Sequence, residues 1–210
     1  MPERIFLFGA SGHGKVVIDA ARRQGYAVEA IFDDNPALAG TTLMGCPVHG
    51  GRDALLAWSR TSGIRHGLVA IGQNGPRGTV AGWLKSSGLH RVSVVHPHAV
   101  LSAGIAPGPG SVVMAGVVIN PDTTIGHDVI INTGATVDHD CVLGDLVHIG
   151  PGCHLCGGVR IGEGSLVGAG STIIPGIRVG RDAVIGAGST VIRDVPDGAR
   201  VAGSPARPLA

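Results

Sequence analysis

Residues 125–149, IGHDVIINTGATVDHDCVLGDLVHI, decide the fold of this chain. An aliphatic residue returns at every sixth position of this stretch: Ile125, Ile131, Val137, Leu143 and Ile149. The same period runs from Val95 to Val191, and 16 of its 17 positions are Leu, Ile or Val, against roughly four or five expected by chance. A six-residue period sustained over this length indicates one repeating structural unit.

Six residues are too few for a pair of helices, but they suit one short strand and one turn. The residue after the aliphatic position is Gly in eight of the 17 repeats and Asn or Asp in three, and these residues tolerate unusual backbone angles. Three units make an 18-residue triangular coil, and stacked coils bury the aliphatic ladder. The sequence therefore predicts a left-handed parallel β-helix of hexapeptide repeats over residues 96–200, followed by a C-terminal tail at residues 201–210.

The composition agrees with such a solenoid. Aromatic residues are only 3% of the chain and Gly reaches 36 of 210 residues, so large rings cannot fill the core. The net charge of +1 and the lack of a Lys/Arg cluster argue against a nucleic-acid partner. No apolar run approaches a membrane span, and the opening residues do not resemble a signal peptide. We therefore expect a cytoplasmic protein in which all four cysteines are reduced.

Residues 1–95 predict a small Rossmann-like α/β domain. A strand at Ile5–Phe8 leads into the glycine-rich turn Gly9–Gly14, a helix at Lys15–Arg23, and a strand at Ala27–Phe32 that ends in two acids. Further strands are expected at 67–71 and 92–95, further helices at 52–61 and 79–87, and a second turn at 72–75. This order of elements is typical of a nucleotide-binding unit.

The glycine-rich turn gives this domain its expected chemistry. Glycines let backbone N–H groups approach phosphate oxygens, and the start of a helix favours negative charge. An acid after the second strand can accept hydrogen bonds from a ribose or a base. However, the spacing departs from G-x-G-x-x-G, and the region is too short for a complete dinucleotide domain. An enzyme that uses NAD is therefore not expected.

Together these motifs resemble one family. It comprises bacterial sugar-nucleotide N-acetyltransferases that acylate 4-amino-4,6-dideoxy sugars linked to UDP, GDP or dTDP, with sialic acid O-acetyltransferases as relatives. The resemblance covers essentially the whole chain and rests on these segments: Gly9–Gly14, Asp33-Asp34, Ile71–Asn74, Asn132–Gly134, Val137–Asp140 and Gly203–Arg207. Members of this superfamily are typically homotrimers that bind acyl-CoA between neighbouring coils, so the resemblance implies a homotrimer with active sites between subunits.

The resemblance implies that His139 is the catalytic base and Asp140 the acid that orients it. The chemistry agrees, because an ammonium group cannot attack a thioester until it loses a proton. Histidine titrates near the working pH and can take that proton, and a neighbouring carboxylate stabilises the imidazolium. The repeats run without an inserted loop, so the base has to come from a coil. Cys141 lies inward in the repeat, so direct attack is expected without an acyl-enzyme.

The resemblance also implies two binding sites. The acetyl-CoA site would contain a histidine, three small residues, a proline, and a glycine whose N–H faces the developing oxyanion: His148, Gly168, Ala169, Ala187, Pro205 and Gly157. The nucleotide-linked amino sugar would be bound near phosphate, sugar, ribose or base by these residues: Gly12, His13, Gly14, Asp33, Asp34 and Asn74.

Several alternatives remain open at this point. The acceptor could be a hydroxyl of a sialic acid or another sugar, and the nucleotide base, the sugar and the pathway stay undetermined. A trimeric binding or scaffolding protein is a third reading, while an ice-binding face would need regular Thr ladders that this sequence lacks. The spacings of His127, Cys153, His154 and Cys156 provide no second metal-ligand pair, so no metal is expected. The three zinc histidines of a γ-class carbonic anhydrase are not reproduced either.

Overall fold

The structure, a computed structural model, describes residues 3–209. Met1 and Pro2 of the predicted first domain, and Ala210 of the predicted tail, lie outside the described residues. The chain divides into two compact units, the first ending at Pro97 and the second beginning at His98. The predicted fold class is confirmed, with an α/β unit followed by a left-handed parallel β-helix.

The first unit is built around a six-stranded sheet. Its elements are β1 (Arg4–Phe8), α1 (Gly12–Gln24), β2 (Ala27–Phe32), a 3₁₀ turn (Pro36–Leu38), β3 (Thr42–Leu43), β4 (Cys46–His49), α2 (Arg52–Ser62), β5 (His66–Val69), α3 (Asn74–Ser86), β6 (His90–Arg91) and β7 (Val94–Val95). The sheet order is β3-β4-β2-β1-β5-β6, parallel except for the β3–β4 hairpin. The chain therefore reverses direction across the sheet between β1 and β5, and ligands of open α/β sheets bind at such a switch point.

Burial explains why β1 is the central strand. Its residues Ile5 to Phe8 are at most 1% exposed, as expected for a parallel strand covered on both faces. The rings of Phe6 and Phe32 meet edge to face at 6.3 Å between centroids, which ties β1 to β2. The largest differences from the predicted bounds are at two helix starts, since α1 begins at Gly12 rather than Lys15 and α3 at Asn74 rather than Thr79. The predicted strands at 67–71 and 92–95 are shorter than expected, and neither the β3–β4 hairpin nor β6 was predicted.

The second unit is a stack of short strands, nearly all of two residues, that form three mainly parallel sheets. These strands are β8 (Val100–Leu101), β9 (Val112–Val113), β10 (Val118–Ile119), β11 (Thr124–Ile125), β12 (Ile130–Ile131), β13 (Thr136–Val137), β14 (Val142–Leu143), β15 (His148–Ile149), β16 (His154–Leu155), β17 (Arg160–Ile161), β18 (Leu166–Val167), β19 (Thr172–Ile173), β20 (Arg178–Val179), β21 (Val184–Ile185), β22 (Thr190–Val191), β23 (Arg200–Ala202) and β24 (Arg207–Pro208). Most partners are 18 residues apart, for example Thr136 and His154. The second residue of a typical strand is the buried ladder residue, and the first points outward.

The ladder departs from the six-residue period at two places. Among the described residues no strand forms at Pro107, consistent with a residue that has no N–H to donate. Near the end, Val184 pairs with Arg200, so the last coil has 16 residues instead of 18. The coil structure thus continues to Ala202, and the antiparallel strand β24 follows it.

Glycines occur at two positions of each corner, for two different structural reasons. The left-handed backbone angle falls on the third residue after the ladder position, for example Gly152 (φ +63°) and Asp140 (φ +59°). The glycines directly after the ladder position have ordinary angles. They are needed because the next coil comes too close, since a Cβ on Gly162 would lie 2.6 Å from the Arg181 backbone nitrogen. The predicted reason for these latter glycines, unusual backbone angles, was therefore wrong.

Candidate active site

One of the three corners has room for side chains. At the other two corners a glycine commonly follows the ladder residue, but at the corner after β10, β13 and β16 that position holds Asn120, Asp138 and Cys156. Backbone bonds run from coil to coil here, as in Gly158 N–H to the His139 carbonyl at 2.9 Å. Polar side chains can therefore project from this corner without disturbing the stack.

The predicted catalytic pair lies at this corner. The Nδ1 atom of His139 is 2.7 Å from the Oδ2 atom of Asp140, and both side chains are about 60% exposed or more. A carboxylate in this position accepts a hydrogen bond from Nδ1–H, so the Nε2 atom is left as the proton acceptor. The Asp140 backbone is in the left-handed region, which aspartate tolerates better than most residues. Sequence order and coil geometry together place the predicted base beside the predicted acid.

A second carboxylate fixes the backbone of the pair. The Oδ1 atom of Asp138 accepts hydrogen bonds from the His139 backbone N–H at 2.9 Å and from Asn120 Nδ2 at 2.8 Å. The bond from Asn120 is the main reason why the pKa of Asp138 is lowered. The pKa of His139 is raised, first by its hydrogen bond to Asp140 and then by the charge of Asp138. Asn120 and Asp138 were not predicted as site residues, although both occupy the position that follows the ladder residue.

Gly157 lies one coil beyond His139 and contacts its ring. A Cβ atom on Gly157 would be 2.6 Å from Cε1 and 2.7 Å from Nε2 of His139. The N–H of Gly157 donates to no group among residues 3–209. The structure therefore brings the predicted base and the predicted oxyanion donor together, with the donor N–H available.

The other predicted cofactor residues lie elsewhere on the coil. His148 is the outward residue of β15, half-buried, with Nε2 3.4 Å from Asn132 Nδ2. Gly168, Ala169 and Ala187 lie at a different corner, where a Cβ on Gly168 would be 2.5 Å from the Ala187 nitrogen. Within one chain this group and His139 are thus at separate corners.

Pro205 lies in the turn between β23 and β24. The preceding residue, Ser204, holds its Oγ 2.9 Å from Thr190 Oγ1. The following residue, Ala206, donates its N–H to the Thr190 carbonyl at 2.8 Å. This turn therefore folds back onto the outward residue of β22.

The predicted nucleotide residues gather at the carboxyl ends of β1, β2 and β5. Gly12, His13 and Gly14 form the first turn of α1, which contains no acid. Gly14 has to be glycine because a Cβ there would be 2.8 Å from the Gly9 carbonyl oxygen. The side chain of His13 approaches Gly72, so the turns after β1 and β5 are neighbours. This arrangement suits an anionic ligand at the start of α1.

The two acids after β2 have different surroundings. Asp33 accepts hydrogen bonds from Ala10 N–H at 2.7 Å and from Asn35 N–H at 2.9 Å, so each of its oxygens holds a turn. Asp34 is half-exposed and pairs with Arg52, with Nε 3.2 Å from Oδ2. Asp33 therefore holds two turns together, while Asp34 keeps a half-exposed side chain.

Asn74 is the first residue of α3, not part of a turn as predicted. Its Oδ1 atom accepts a hydrogen bond of 2.8 Å from Nη2 of Arg77. Arg77 is only 1% exposed, and its Nη1 donates to the carbonyl of Gly72 at 2.9 Å. The Asn74 oxygen is thereby tied to the turn that follows β5.

A pocket of about 520 Å³ lies between these acids and α3. Its lining includes Asp34 and Arg52, and the Arg52 guanidinium stacks 5.4 Å from the centre of the Trp83 ring. Neither Arg52 nor Trp83 was predicted. The sequence contains one indication for Arg52, because this residue follows β4 directly after Gly50-Gly51. The carboxyl ends of neighbouring parallel strands lie at the same edge of a sheet, so a residue just after β4 lies near those that follow β2.

Two observations bear on metals and membranes. Within residues 3–209, no group of three or more His, Cys, Asp or Glu side chains is placed to hold a metal ion. Over the same described range, no helix has both the length and the apolar character required to cross a bilayer.

Cys141 and Cys153 are fully buried, and burial raises the pKa of both thiols. Neither thiol is therefore exposed as a nucleophile.

Two family models match the sequence. The PglD N-terminal domain model matches residues 4–84. The bacterial transferase hexapeptide model, which spans six repeats, matches residues 140–175 and 158–193. No curated protein matches the sequence.

Solved bacterial structures are similar to nearly the whole chain. A mutant of perosamine N-acetyltransferase from Caulobacter crescentus, in complex with CoA and GDP-perosamine, is 42% identical with a TM-score of 0.93, and the match covers 98% of this chain and 96% of that chain. The acetyltransferase domain of PglB from Neisseria gonorrhoeae, in complex with acetyl coenzyme A, is 38% identical with a TM-score of 0.90, and the match covers 100% of both chains. WeeI from Acinetobacter baumannii is 30% identical with a TM-score of 0.88, covering 98% of this chain and 100% of that chain.

Both parts of the chain thus match family models, and relatives of 30% to 42% identity match along almost their whole length. The chain therefore belongs to the family of bacterial hexapeptide-repeat sugar-nucleotide N-acetyltransferases and is an acetyl-CoA-dependent acetyltransferase.

Proposed function

We propose that this chain transfers the acetyl group of acetyl-CoA to the 4-amino group of a nucleotide-linked 4-amino-4,6-dideoxy sugar. The observation that supports this most is the pair of His139 and Asp140 on an exposed corner, with the Nε2 atom of His139 beside Gly157. The Caulobacter relative, solved with CoA and GDP-perosamine, supports an amino sugar as the acceptor.

The reaction begins with the removal of a proton from the sugar amine. Nε2 of His139 accepts this proton as the nitrogen attacks the carbonyl carbon of the thioester. The imidazolium that results is stabilised by its hydrogen bond to Asp140 and by the nearby charge of Asp138. General-base catalysis of this kind contributes roughly 10²–10⁴-fold to the rate.

The tetrahedral intermediate carries a negative oxygen. The N–H of Gly157 donates to it, and one such preorganised donor is worth about 2.7–4 kcal/mol in other enzymes. The intermediate collapses as the C–S bond breaks, and the CoA thiolate recovers the proton from His139. The products are the amide and CoA, so atoms and charge balance without an acyl-enzyme.

The separation of the corners supports an active site shared between subunits. In one chain, Gly168, Ala169 and Ala187 lie at a different corner from His139. We propose that a homotrimer brings the small-residue corner of one subunit to the His139 corner of the next, with His148 and Pro205 also contacting acetyl-CoA. Gly12, His13, Gly14, Asp34 and Asn74 would surround the nucleotide sugar, with Asp33 holding the turn. The cytoplasmic location stays a prediction from the sequence.

The experiment follows CoA release with a thiol reagent. Two acceptors are compared, a nucleotide-linked 4-amino-4,6-dideoxy sugar and the matching 4-hydroxy sugar, and the product is identified by mass spectrometry. We expect the amine to be acetylated and the hydroxyl to be left unchanged. Turnover of the hydroxyl alone would show O-acetylation instead, and release of CoA with neither acceptor present would show hydrolysis.

A further inference from the structure

The pocket of the first unit combines apolar walls with charged side chains. Four of its lining residues are apolar and contribute from the ends of β1 and β5 and from α3: Phe8, Ile71, Pro76 and Val80. Its volume of about 520 Å³ lies within the usual range for small-molecule sites. Three charged side chains line the same pocket: Asp33, Asp34 and Arg52.

The Asp34–Arg52 pair is supported from two sides. The Nε atom of Arg52 holds Oδ2 of Asp34 at 3.2 Å, and the flat guanidinium is supported by the Trp83 ring at 5.4 Å. Gly51 makes room for this arrangement, because a Cβ there would overlap Oδ1 of Asp34. A planar carboxylate and a planar guanidinium thus lie side by side in the lining of the pocket.

Both groups keep hydrogen-bonding capacity for a ligand. Within the described residues, the two Nη groups of Arg52 donate to no protein atom, and Oδ1 of Asp34 accepts from none. Asp33 differs, because both of its oxygens already accept backbone N–H groups. A ligand in this pocket can therefore reach an open carboxylate oxygen of Asp34 and the Nη groups of Arg52, whereas both oxygens of Asp33 are already used.

We propose that Asp34 and Arg52 together select a guanine base, so that the nucleotide of the acceptor sugar is GDP. Guanine presents two adjacent donors, N1–H and the 2-amino group, and two adjacent acceptors, O6 and N7. A carboxylate matches the donors, and a guanidinium is the usual partner of O6 and N7. Uracil and thymine carry a single N–H between two carbonyl oxygens, so one of those oxygens would face the carboxylate. This inference rests on the proposed function, since it concerns the same acceptor.

The test is a binding experiment that needs no acetyl transfer. Isothermal titration calorimetry measures the affinity of the whole protein for free GDP, UDP, dTDP and inosine diphosphate, which lacks the 2-amino group. We expect GDP to bind at least tenfold more tightly than UDP or dTDP, and more tightly than inosine diphosphate. If the wild-type protein binds UDP or dTDP as tightly as GDP, or more tightly, the proposal is overturned.

Three variants assign the preference to these residues. Arg52→Gln and Asp34→Asn are each expected to weaken GDP binding by about 10- to 100-fold, and Asp34→Asn should remove the advantage of GDP over inosine diphosphate. Arg60→Gln, on the exposed part of the same helix α2, is the matched control and should bind GDP like the wild type. If Arg52→Gln is folded by circular dichroism and keeps the full preference for GDP, Arg52 does not select the base.

The outcomes also separate this inference from the proposed function. An enzyme that acetylates an amino sugar on UDP or dTDP but not on GDP refutes guanine selection and leaves the N-acetyltransferase intact. A protein that binds GDP selectively but acetylates no amine refutes the proposed function and supports guanine selection.

Discussion

The imidazole ring of His139 lies against the Cα atom of Gly157, one coil further along the chain. A Cβ at position 157 would be 2.6 Å from Cε1 and 2.7 Å from Nε2 of that ring. Contacts below 3.0 Å with a ring held by a hydrogen bond to Asp140 require the ring to move. The absence of a side chain at one residue therefore sets the position of the predicted base on the preceding coil.

Gly157→Ala should reduce catalysis while leaving the fold intact. The new methyl group pushes the imidazole away, and a shift of about 1 Å can cost on the order of 100-fold in rate. We expect kcat to fall by about this factor, with an unchanged far-ultraviolet circular dichroism spectrum.

Gly82→Ala is the matched control. A Cβ at this exposed position of α3 meets no atom within 4 Å, and alanine is the better helix former. This variant should keep full activity and gain about 0.5–1 kcal/mol in the free energy of unfolding. Wild-type kcat in Gly157→Ala would show that the ring position does not matter for catalysis.

His139→Ala should lower kcat by roughly 10²–10⁴-fold, because the amine then has no positioned base. Binding of acetyl-CoA, measured by calorimetry, should stay within a few-fold of the wild type. His127→Ala provides a control, since His127 is an exposed histidine at a different corner. If both variants turn over at the wild-type rate, His139 has no part in the mechanism.

The pH dependence of kcat/KM should report the surroundings of His139. A general base works in its neutral form, so activity rises as the pH increases through the pKa of His139. Because the bond to Asp140 is the largest cause that raises this pKa above its usual value, Asp140→Asn should move the acidic limb to lower pH. The plateau should also fall, since the base becomes weaker. Asparagine is chosen because it tolerates the left-handed backbone at position 140. An acidic limb at the same pH in Asp140→Asn and the wild type would contradict the role of Asp140 in raising the pKa of His139.

Substitution of Asp33 should mainly affect stability, and substitution of Asp34 should mainly affect nucleotide binding. Asp33→Ala removes the acceptors of two backbone bonds and should lower the unfolding free energy by about 1–3 kcal/mol. Asp34→Ala breaks an exposed ion pair, which is worth about 0–1 kcal/mol, but it should weaken nucleotide binding directly. Urea denaturation and calorimetry of both variants give the two quantities, and similar stability losses would show that Asp33 has no special structural role.

Most of the fold follows from the sequence because the repeat is one-dimensional. An aliphatic residue every sixth position forces a strand and a turn, and each coil contacts mainly its neighbours. The strand at Ala27–Phe32 was predicted at its observed bounds because two turns flank it. The start of α3 was misplaced by five residues because Asn74, Gly75 and Pro76 favour turns in isolation. Asn74 is held at the helix start through Arg77, a contact that only tertiary structure provides.

The candidate site was predictable only in part. The order Asp138-His139-Asp140 suggested an acid beside the base, and the resemblance to a family selected this histidine among the ten in the chain. The use of both Asp33 oxygens by backbone N–H groups depends on how the turns at residues 10 and 35 approach β2. The Arg52–Trp83 contact likewise joins two helices that are far apart in sequence.

The left-handed corner position has a consequence for how such enzymes can be remodelled. At the corner of His139, the equivalent residues of successive coils all have φ between +59° and +75°: Asp122, Asp140, Gly158 and Gly176. Glycine and aspartate are thus interchangeable there as far as the chain path is concerned. A carboxylate can be gained or lost by one substitution, at a spacing of 18 residues, without rebuilding the scaffold. Each coil thus offers one position at this corner at which the same backbone accepts either glycine or an acid.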